Sequence, residues 1–177
     1  MRKLVAAGFV AVLVLGVIGT SAAGAHGRGR PISWRCVAEA ARLGILGRDV
    51  NPSTHVFVSG TPGDDGAANG PDQIFVAADE VYCGLGGHDV IMANSGITIG
   101  GAGDDYMYTN RGTFYGGPGS DFVYYNAGTF NGGRGDDGIY AGPGFFDGGP
   151  GFDRIGFPGN CVNVEQAWAA PPGTPPC

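Results

Sequence analysis

Five aspartates stand at a constant interval in the middle of this chain: Asp89, Asp105, Asp121, Asp137 and Asp153, each 16 residues after the last. Each closes a glycine-rich hexad. The phrase G-G-x-G-x-D-x-U-x, with U apolar, reads GGAGDDYMY from Gly100, GGPGSDFVY from Gly116, GGRGDDGIY from Gly132 and GGPGFDRIG from Gly148. GLGGHDVIM from Gly84 puts Leu85 in the second glycine place. Carboxylates beside exposed loop carbonyls form a hard-oxygen donor set, which suits Ca²⁺ better than Mg²⁺ where the loop is too open for strict octahedral geometry. Glycines at the first, second and fourth places (Gly84; Gly100, Gly101, Gly103; Gly116, Gly117, Gly119; Gly132, Gly133, Gly135; Gly148, Gly149) are expected to supply positive φ and to turn carbonyls toward such an ion.

A fixed period of this length is a structural repeat. After each Asp the apolar eighth residue (Ile91, Met107, Val123, Ile139, Ile155) has neighbours free to be polar, which is strand alternation. Each unit therefore reads loop, strand, turn, strand. The second half of the unit, NSGITI, NRGTFY, NAGTFN or GPGFFD, provides the turn. Its Asn-x-Gly is read as a turn reaching positive φ, with Asn94, Asn110 and Asn126 stacked. Phe114, Phe130 and Phe146 share one inward register, flanked by Thr98 and Val162; Ile97 and Ile99 conflict with it, and their facing stays open.

On these residues the chain resembles the hemolysin-type calcium-binding (RTX) repeat, over roughly residues 60 to 165. The resemblance implies a parallel β-roll, here an all-β solenoid of 16-residue turns, with calcium between neighbouring loops held by the Asp side chains and loop carbonyls. Two departures stand out. The family's turn carries two nine-residue phrases, whereas here one phrase alternates with a seven-residue piece lacking the Asp, so one ion-binding edge and one plain edge are expected. Many family members also use an uncleaved C-terminal secretion signal, and this chain begins differently.

Met1 to Ala25 shows a basic start (Arg2, Lys3), an apolar run from Leu4 to Ile18 and an Ala-Gly-Ala exit, the pattern of a cleaved signal peptide over residues 1–25 rather than a membrane span. No span is then expected after cleavage. Taking Arg2 and Lys3 from the net charge of -6 leaves -8, distributed as -11 over residues 60–165 and +3 over 26–59. So acidic a body attracts cations and repels nucleic acid.

Residues 26–59 form the N-terminal region. SWRCVAEAARLG predicts a short helix capped by Ser33 and closed by Gly44, with Trp34, Val37, Ala41 and Leu43 as its apolar face, expected to cap the open end of the stack. Between it and the regular units, Asp72 fits the repeat's core as a further ligand, and Asp65 reads as a surface acid. After Ile155 one last strand is expected around Val162 and Val164, with Trp168 as a lid; residues 166–177 form a proline-rich tail.

Cys83 and Cys161 lie about five turns apart, too far to pair at about 4.8 Å per turn. Cys36 with Cys83, and Cys161 with Cys177, is the expected pattern. Tyr108, Tyr124 and Tyr140, flanked by Tyr106 and Phe122, should form an outward aromatic ladder. Such a ladder either stabilises the sheet by like-on-like stacking or offers a platform to an extracellular polysaccharide or protein partner. No serine-nucleophile elbow, His-Glu-x-x-His pair or Cys-His metal spacing occurs, and the three histidines (His26, His55, His88) are scattered. The sequence thus reads as a secreted, non-enzymatic, Ca²⁺-binding structural or interaction protein, with a carbohydrate-binding module on the aromatic ladder as the alternative.

Overall fold

The computed structural model describes residues 32–67, 72–157, 160–167 and 177; the expected signal peptide and Trp168 lie outside them. One helix, α1 (Trp34–Arg42), precedes the strands. In chain order these are β1 (Val56–Ser59), β2 (Ile74–Val76), β3 (Glu80–Gly86), β4 (Val90–Asn94), β5 (Ile97–Ala102), β6 (Tyr106–Asn110) and β7 (Thr113–Pro118). There follow β8 (Phe122–Asn126), β9 (Thr129–Arg134), β10 (Gly138–Ala141), β11 (Phe145–Asp147), β12 (Arg154–Ile155), β13 (Cys161–Val162) and β14 (Gln166–Ala167). Odd-numbered strands form one seven-stranded parallel sheet and even-numbered strands another. The chain alternates between the two sheets at every step, so it winds as a parallel β-solenoid.

The pairing register is the sequence period itself: Met107 pairs with Val123, and Phe114 with Phe130, 16 residues on. A regular turn has room inside for four side chains. In the turn beginning at Asp105 these are Asp105 at one bend, Met107 on the even sheet, Asn110 at the other bend and Phe114 on the odd sheet, all essentially inaccessible. Two flats are therefore apolar and two corners polar. On the apolar flats Phe114, Phe130 and Phe146 stack face to face with centroids 5.0 and 4.9 Å apart. At the far corner the Asn94 amide donates to Asn110 Oδ1 (2.8 Å) and that of Asn110 to Asn126 Oδ1 (2.9 Å). Each amide also donates to a carbonyl across the bend: Asn94 to Thr113, Asn110 to Thr129 and Asn126 to Phe145.

Gly112 and Gly128, at this corner, do not take positive φ as the turn reading expected. A Cβ at either would overlap the carbonyl of the glycine one turn earlier, so the residue is required by close approach of stacked backbones.

The helix has its expected bounds, with Ser33 as N-cap and Gly44 at φ 71° beyond Leu43. Its placement and face differ from expectation. Ser33 touches the free edge of β1, its amide donating to the Phe57 carbonyl (3.1 Å) and its hydroxyl meeting that of Ser59. The helix body then packs against the outer face of the odd sheet rather than across the open end. Cys36 and Ala40 are buried in a second core with Ile45, Val50, Phe57, Val81, Cys83 and Ile99, while Trp34 is 58 % exposed and Leu43 lies at the rim. This second layer explains Ile97 and Ile99: they point outward, beneath the N-terminal segment, while Thr98 takes the inward place.

Both disulfides match expectation, Cys36–Cys83 joining α1 to β3 and Cys161–Cys177 holding the chain's last residue to β13. At the C-terminal end Cys161, not Val162, continues the phenylalanine register, because β13 pairs with β11 one residue short of the period. Val162 is turned out to solvent. Two short strands, β13 and β14, stand where one was expected.

The buried polar groups make separable predictions. Asn110→Ala removes an amide that bonds on both sides and strands its buried partners, and should cost roughly 2–3 kcal/mol in urea unfolding. Thr98→Val removes a buried hydroxyl with no partner and should be neutral or stabilising by up to about 1 kcal/mol. Equal losses at the two positions would contradict this account of the corner.

Candidate metal centre

The five sixth-place aspartates do come together, in one buried file along one corner of the solenoid, each no more than 2 % exposed. The second and fourth glycines position them through backbone conformation: Gly101, Gly117 and Gly133 lie at φ 117°, 124° and 117°, and Gly103, Gly119 and Gly135 at 131°, 150° and 128°. Loop stacks on loop through amide-to-carbonyl bonds, Gly103 to Pro118, Gly119 to Arg134 and Gly135 to Pro150. The first glycines (Gly84, Gly100, Gly116, Gly132, Gly148) serve differently from expectation. They keep ordinary φ, and a Cβ on any of them would collide with the carboxylate Oδ2 of the same unit's Asp, which folds back over the glycine Cα.

The two carboxylate oxygens have unlike surroundings. Each Oδ1 accepts the backbone N–H of the acid one turn earlier: Asp105 from Asp89 (2.9 Å), Asp121 from Asp105 (2.8 Å), Asp137 from Asp121 (2.7 Å) and Asp153 from Asp137 (2.7 Å). Every Oδ2 in the file is buried without a hydrogen-bond partner. It faces the same point above the first glycine as a backbone carbonyl from the next turn, that of Gly100, Gly116, Gly132 and Gly148 in successive units and of Asn163 in the last.

Two acids extend the file beyond the regular repeat. The Asp65 amide donates to Asp89 Oδ1 (2.8 Å), and its carbonyl accepts from Val90 as that of Asp89 does from Tyr106, so Asp65 holds the sixth place of the first turn. Asp72, the expected ligand, is exposed and outside the file. Residues 66–73 intervene between Asp65 and the inward-facing strand, where every later turn has a single residue, and this insertion displaced the sequence register. Gly60, Gly63 and Asp65 carried the signal at the right mutual spacing. At the other end the Asp153 amide donates to the Glu165 carboxylate (2.6 Å). Nothing in the motif announced Glu165, which stands only 12 residues on.

The fifth-place acids point the other way, to the surface and forward: Asp64 accepts from the His88 amide (2.8 Å), Asp104 from Ser120 (2.7 Å) and Asp136 from Phe152 (2.9 Å). Leu85 adopts φ 81° where the other units have glycine, and its side chain packs against the N-terminal layer.

Burial is the main force on the file's protonation. It raises the carboxyl of Asp89 to about 6, Asp105 to about 7, Asp121 to about 8 and Asp137 to about 7, and pushes up Asp153 as well. The amide donated to each Oδ1 opposes that shift, and the neighbouring carboxylates reinforce it. Burial likewise drives the inward Tyr82 phenol, near the head of the file, well above its ordinary range.

Each unit of this corner brings an unpartnered buried carboxylate oxygen beside a carbonyl oxygen of the next turn, a hard-oxygen donor set of the kind a divalent cation takes. Among the described residues no three His, Cys, Asp or Glu side chains converge. An ion here would accordingly take most of its ligands from backbone carbonyls.

The aromatic ladder is outward, with Tyr124 and Tyr140 48 % and 44 % exposed. Their rings stack at 5.0 Å and 9°, and Tyr106 stacks on Phe122 at 5.5 Å. The faces of Tyr124 and Tyr140 are thus turned on each other, leaving rims and hydroxyls to solvent. Set against family models, curated proteins and solved structures, the chain matches none.

The carboxyl shifts fix the sign of a pH dependence. Carboxyls held above the ordinary aspartate value of 3.8 bind protons more tightly in the folded than in the unfolded chain. Their contribution is complete below about 4 and is lost as pH rises through about 6 to about 8. In a divalent-free buffer the folded fraction read by circular dichroism should therefore fall across that window, and a fraction that rises instead would contradict the burial assignment.

Proposed function

We propose that this chain is a calcium-binding structural or interaction protein of the RTX-repeat kind, exported from the cell, whose solenoid is completed by Ca²⁺ along the aspartate file. The observation that carries the reading is the row of buried, unpartnered Oδ2 atoms, one per turn from Asp89 to Asp153. Ionised and bare, neighbouring carboxylates at about the 4.8 Å strand spacing repel by roughly 1 kcal/mol in water and more when buried. A cation beside each Oδ2 converts that repulsion to coordination, so binding free energy becomes folding free energy. Chain composition sharpens the need. With 36 glycines in 177 residues, the backbone entropy lost on folding is high and the side-chain core is thin.

The loop carbonyls and Asp89, Asp105, Asp121, Asp137 and Asp153 are the ligands in this reading; Asp65 heads the file, but its carboxylate is taken up by the Thr61 amide (2.5 Å) and hydroxyl (3.1 Å). An affinity of about 10⁻⁴ to 10⁻³ M, usual for extracellular modules, leaves the chain unfolded in a low-calcium cytoplasm and folded outside. Two disulfides support an oxidising compartment, and the N-terminal signal pattern supports export.

At neutral pH, excess chelator should abolish the β circular-dichroism signal, and added calcium should restore it. Asp121→Asn sharpens the test, because the amide keeps the Oδ1 acceptor while removing the charge. It should leave part of the β signal in chelator and shrink the gain that calcium brings, with Asp72→Ala changing neither. A β spectrum of equal strength in chelator, or an Asp121→Asn protein with the full calcium response, would overturn the reading.

A further inference from the structure

The described residues cover only part of the outer face of the odd sheet. The N-terminal layer spans β1, β3 and β5 and reaches Tyr115 on β7, with Arg42 and Leu43, at the end of α1, on its border. Beyond it lies a groove of about 710 Å³. Its floor is the outward row Asn131, Asp147 and Asn163, the first two paired across adjacent strands. Its loop-side wall is the third-place row Pro118, Arg134 and Pro150, one residue per turn. Both rows repeat at the strand spacing of about 4.8 Å, so the groove runs along the solenoid axis and presents like chemistry at each step.

The lining is unlike the rest of the surface. In a body of net charge -11, two guanidiniums, Arg42 and Arg134, border this groove against one carboxylate. That carboxylate, Asp147, accepts from the Asn163 amide at 2.7 Å. Arg42 is bound to Glu39, whereas Arg134 has no carboxylate partner among the described residues. The remaining groups are amides able to bond hydroxyls, and flat proline rings.

We propose that this groove binds a linear polysaccharide bearing carboxylates, a uronic acid chain. The guanidinium of Arg134 matches a carboxylate fork to fork, and Asn131 faces the ring hydroxyls. The proline rings offer flat apolar contact to the sugar C–H faces. The volume lies within the range of small-ligand sites and suits a few sugar rings rather than a folded partner. An acidic peptide matches less well. β9 and β11 are each paired on both sides, so only the two-residue β13 presents an edge to extend, and Leu43 is the one aliphatic side chain in the lining besides the prolines. The assignment also moves sugar recognition away from the tyrosine ladder, whose best-stacked faces are closed. It does not depend on the aspartate file.

The test is titration of the full exported chain, in calcium-containing buffer and folded by circular dichroism, with trigalacturonate, maltotriose and hexaglutamate as separate probes. Trigalacturonate should bind saturably, more weakly as salt is raised, with maltotriose at least tenfold weaker. Arg134→Ala should weaken trigalacturonate at least tenfold, Arg134→Lys less, and Tyr124→Ser not at all. The third place already holds Ala102, Pro118, Arg134 and Pro150 in successive units, so exchange of this side chain leaves the turn intact. Absence of saturable trigalacturonate binding, undiminished binding by Arg134→Ala, or hexaglutamate binding as tightly would each overturn the proposal.

Discussion

Stacking one turn directly on the next at strand spacing is the constraint from which the rest of this structure follows. Only four side chains enter each turn, and at the corners the backbones approach so closely that a Cβ at the stacked glycines would overlap the neighbouring carbonyl. The corner residues that point inward must then serve the backbone. Asn94, Asn110 and Asn126 do so as neutral amides, donating to one another and to carbonyls across the bend. The aspartates do so as acceptors of amides from the preceding turn. The neutral corner leaves one oxygen over in all, Asn94 Oδ1, whereas the acidic corner leaves one on each turn.

That spare oxygen makes the two corners unequal in energy. The asparagine corner leaves only Asn94 Oδ1, at its head, without a partner, whereas the aspartate corner leaves a bare carboxylate oxygen on every turn from Asp89 to Asp153. Conversion of the file to asparagine would remove these carboxylates and, with them, any dependence of folding on the medium. The fifth-place acids have no such effect, because Asp64, Asp104 and Asp136 bond the next turn from the solvent side. Two adjacent aspartates in one loop thus do opposite work: the outer one grips forward and the inner one accepts from behind.

The N-terminal layer changes what the outer surface is. By packing on the odd sheet it turns Val81, Cys83 and Ile99 into core and permits Leu85 at a positive φ otherwise held by glycine. Where it ends, the same sheet face becomes polar, and the groove opens between α1 and the loops. Among the described residues the even sheet has no such cover, and its aromatic rings stack from strand to strand, Tyr106 on Phe122 and Tyr124 on Tyr140.

The repeat was legible because it is local and periodic: a 16-residue interval in a parallel stack places like residues in register, so the aspartate file, the phenylalanine stack and the asparagine ladder could all be read from spacing. The same arithmetic excluded a Cys83–Cys161 bridge, since distance along a solenoid is proportional to turns. Positions that depend on contacts outside the period were not legible. Asp65 and Glu165 stand in the file out of step with the 16-residue period, 24 residues before Asp89 and 12 after Asp153, while Asp72 is exposed outside it. The helix face buried through Cys36 and Ala40, rather than Trp34, was decided by which surface of the sheet was still apolar and free. Nor could the role of the first glycine be told from that of the second: one makes room for a carboxylate and the other takes positive φ, and sequence records only that neither has a side chain. Periodicity determines what stacks on what, while burial of an outer face and the reach of a folded-back carboxylate exist only once the turns are wound.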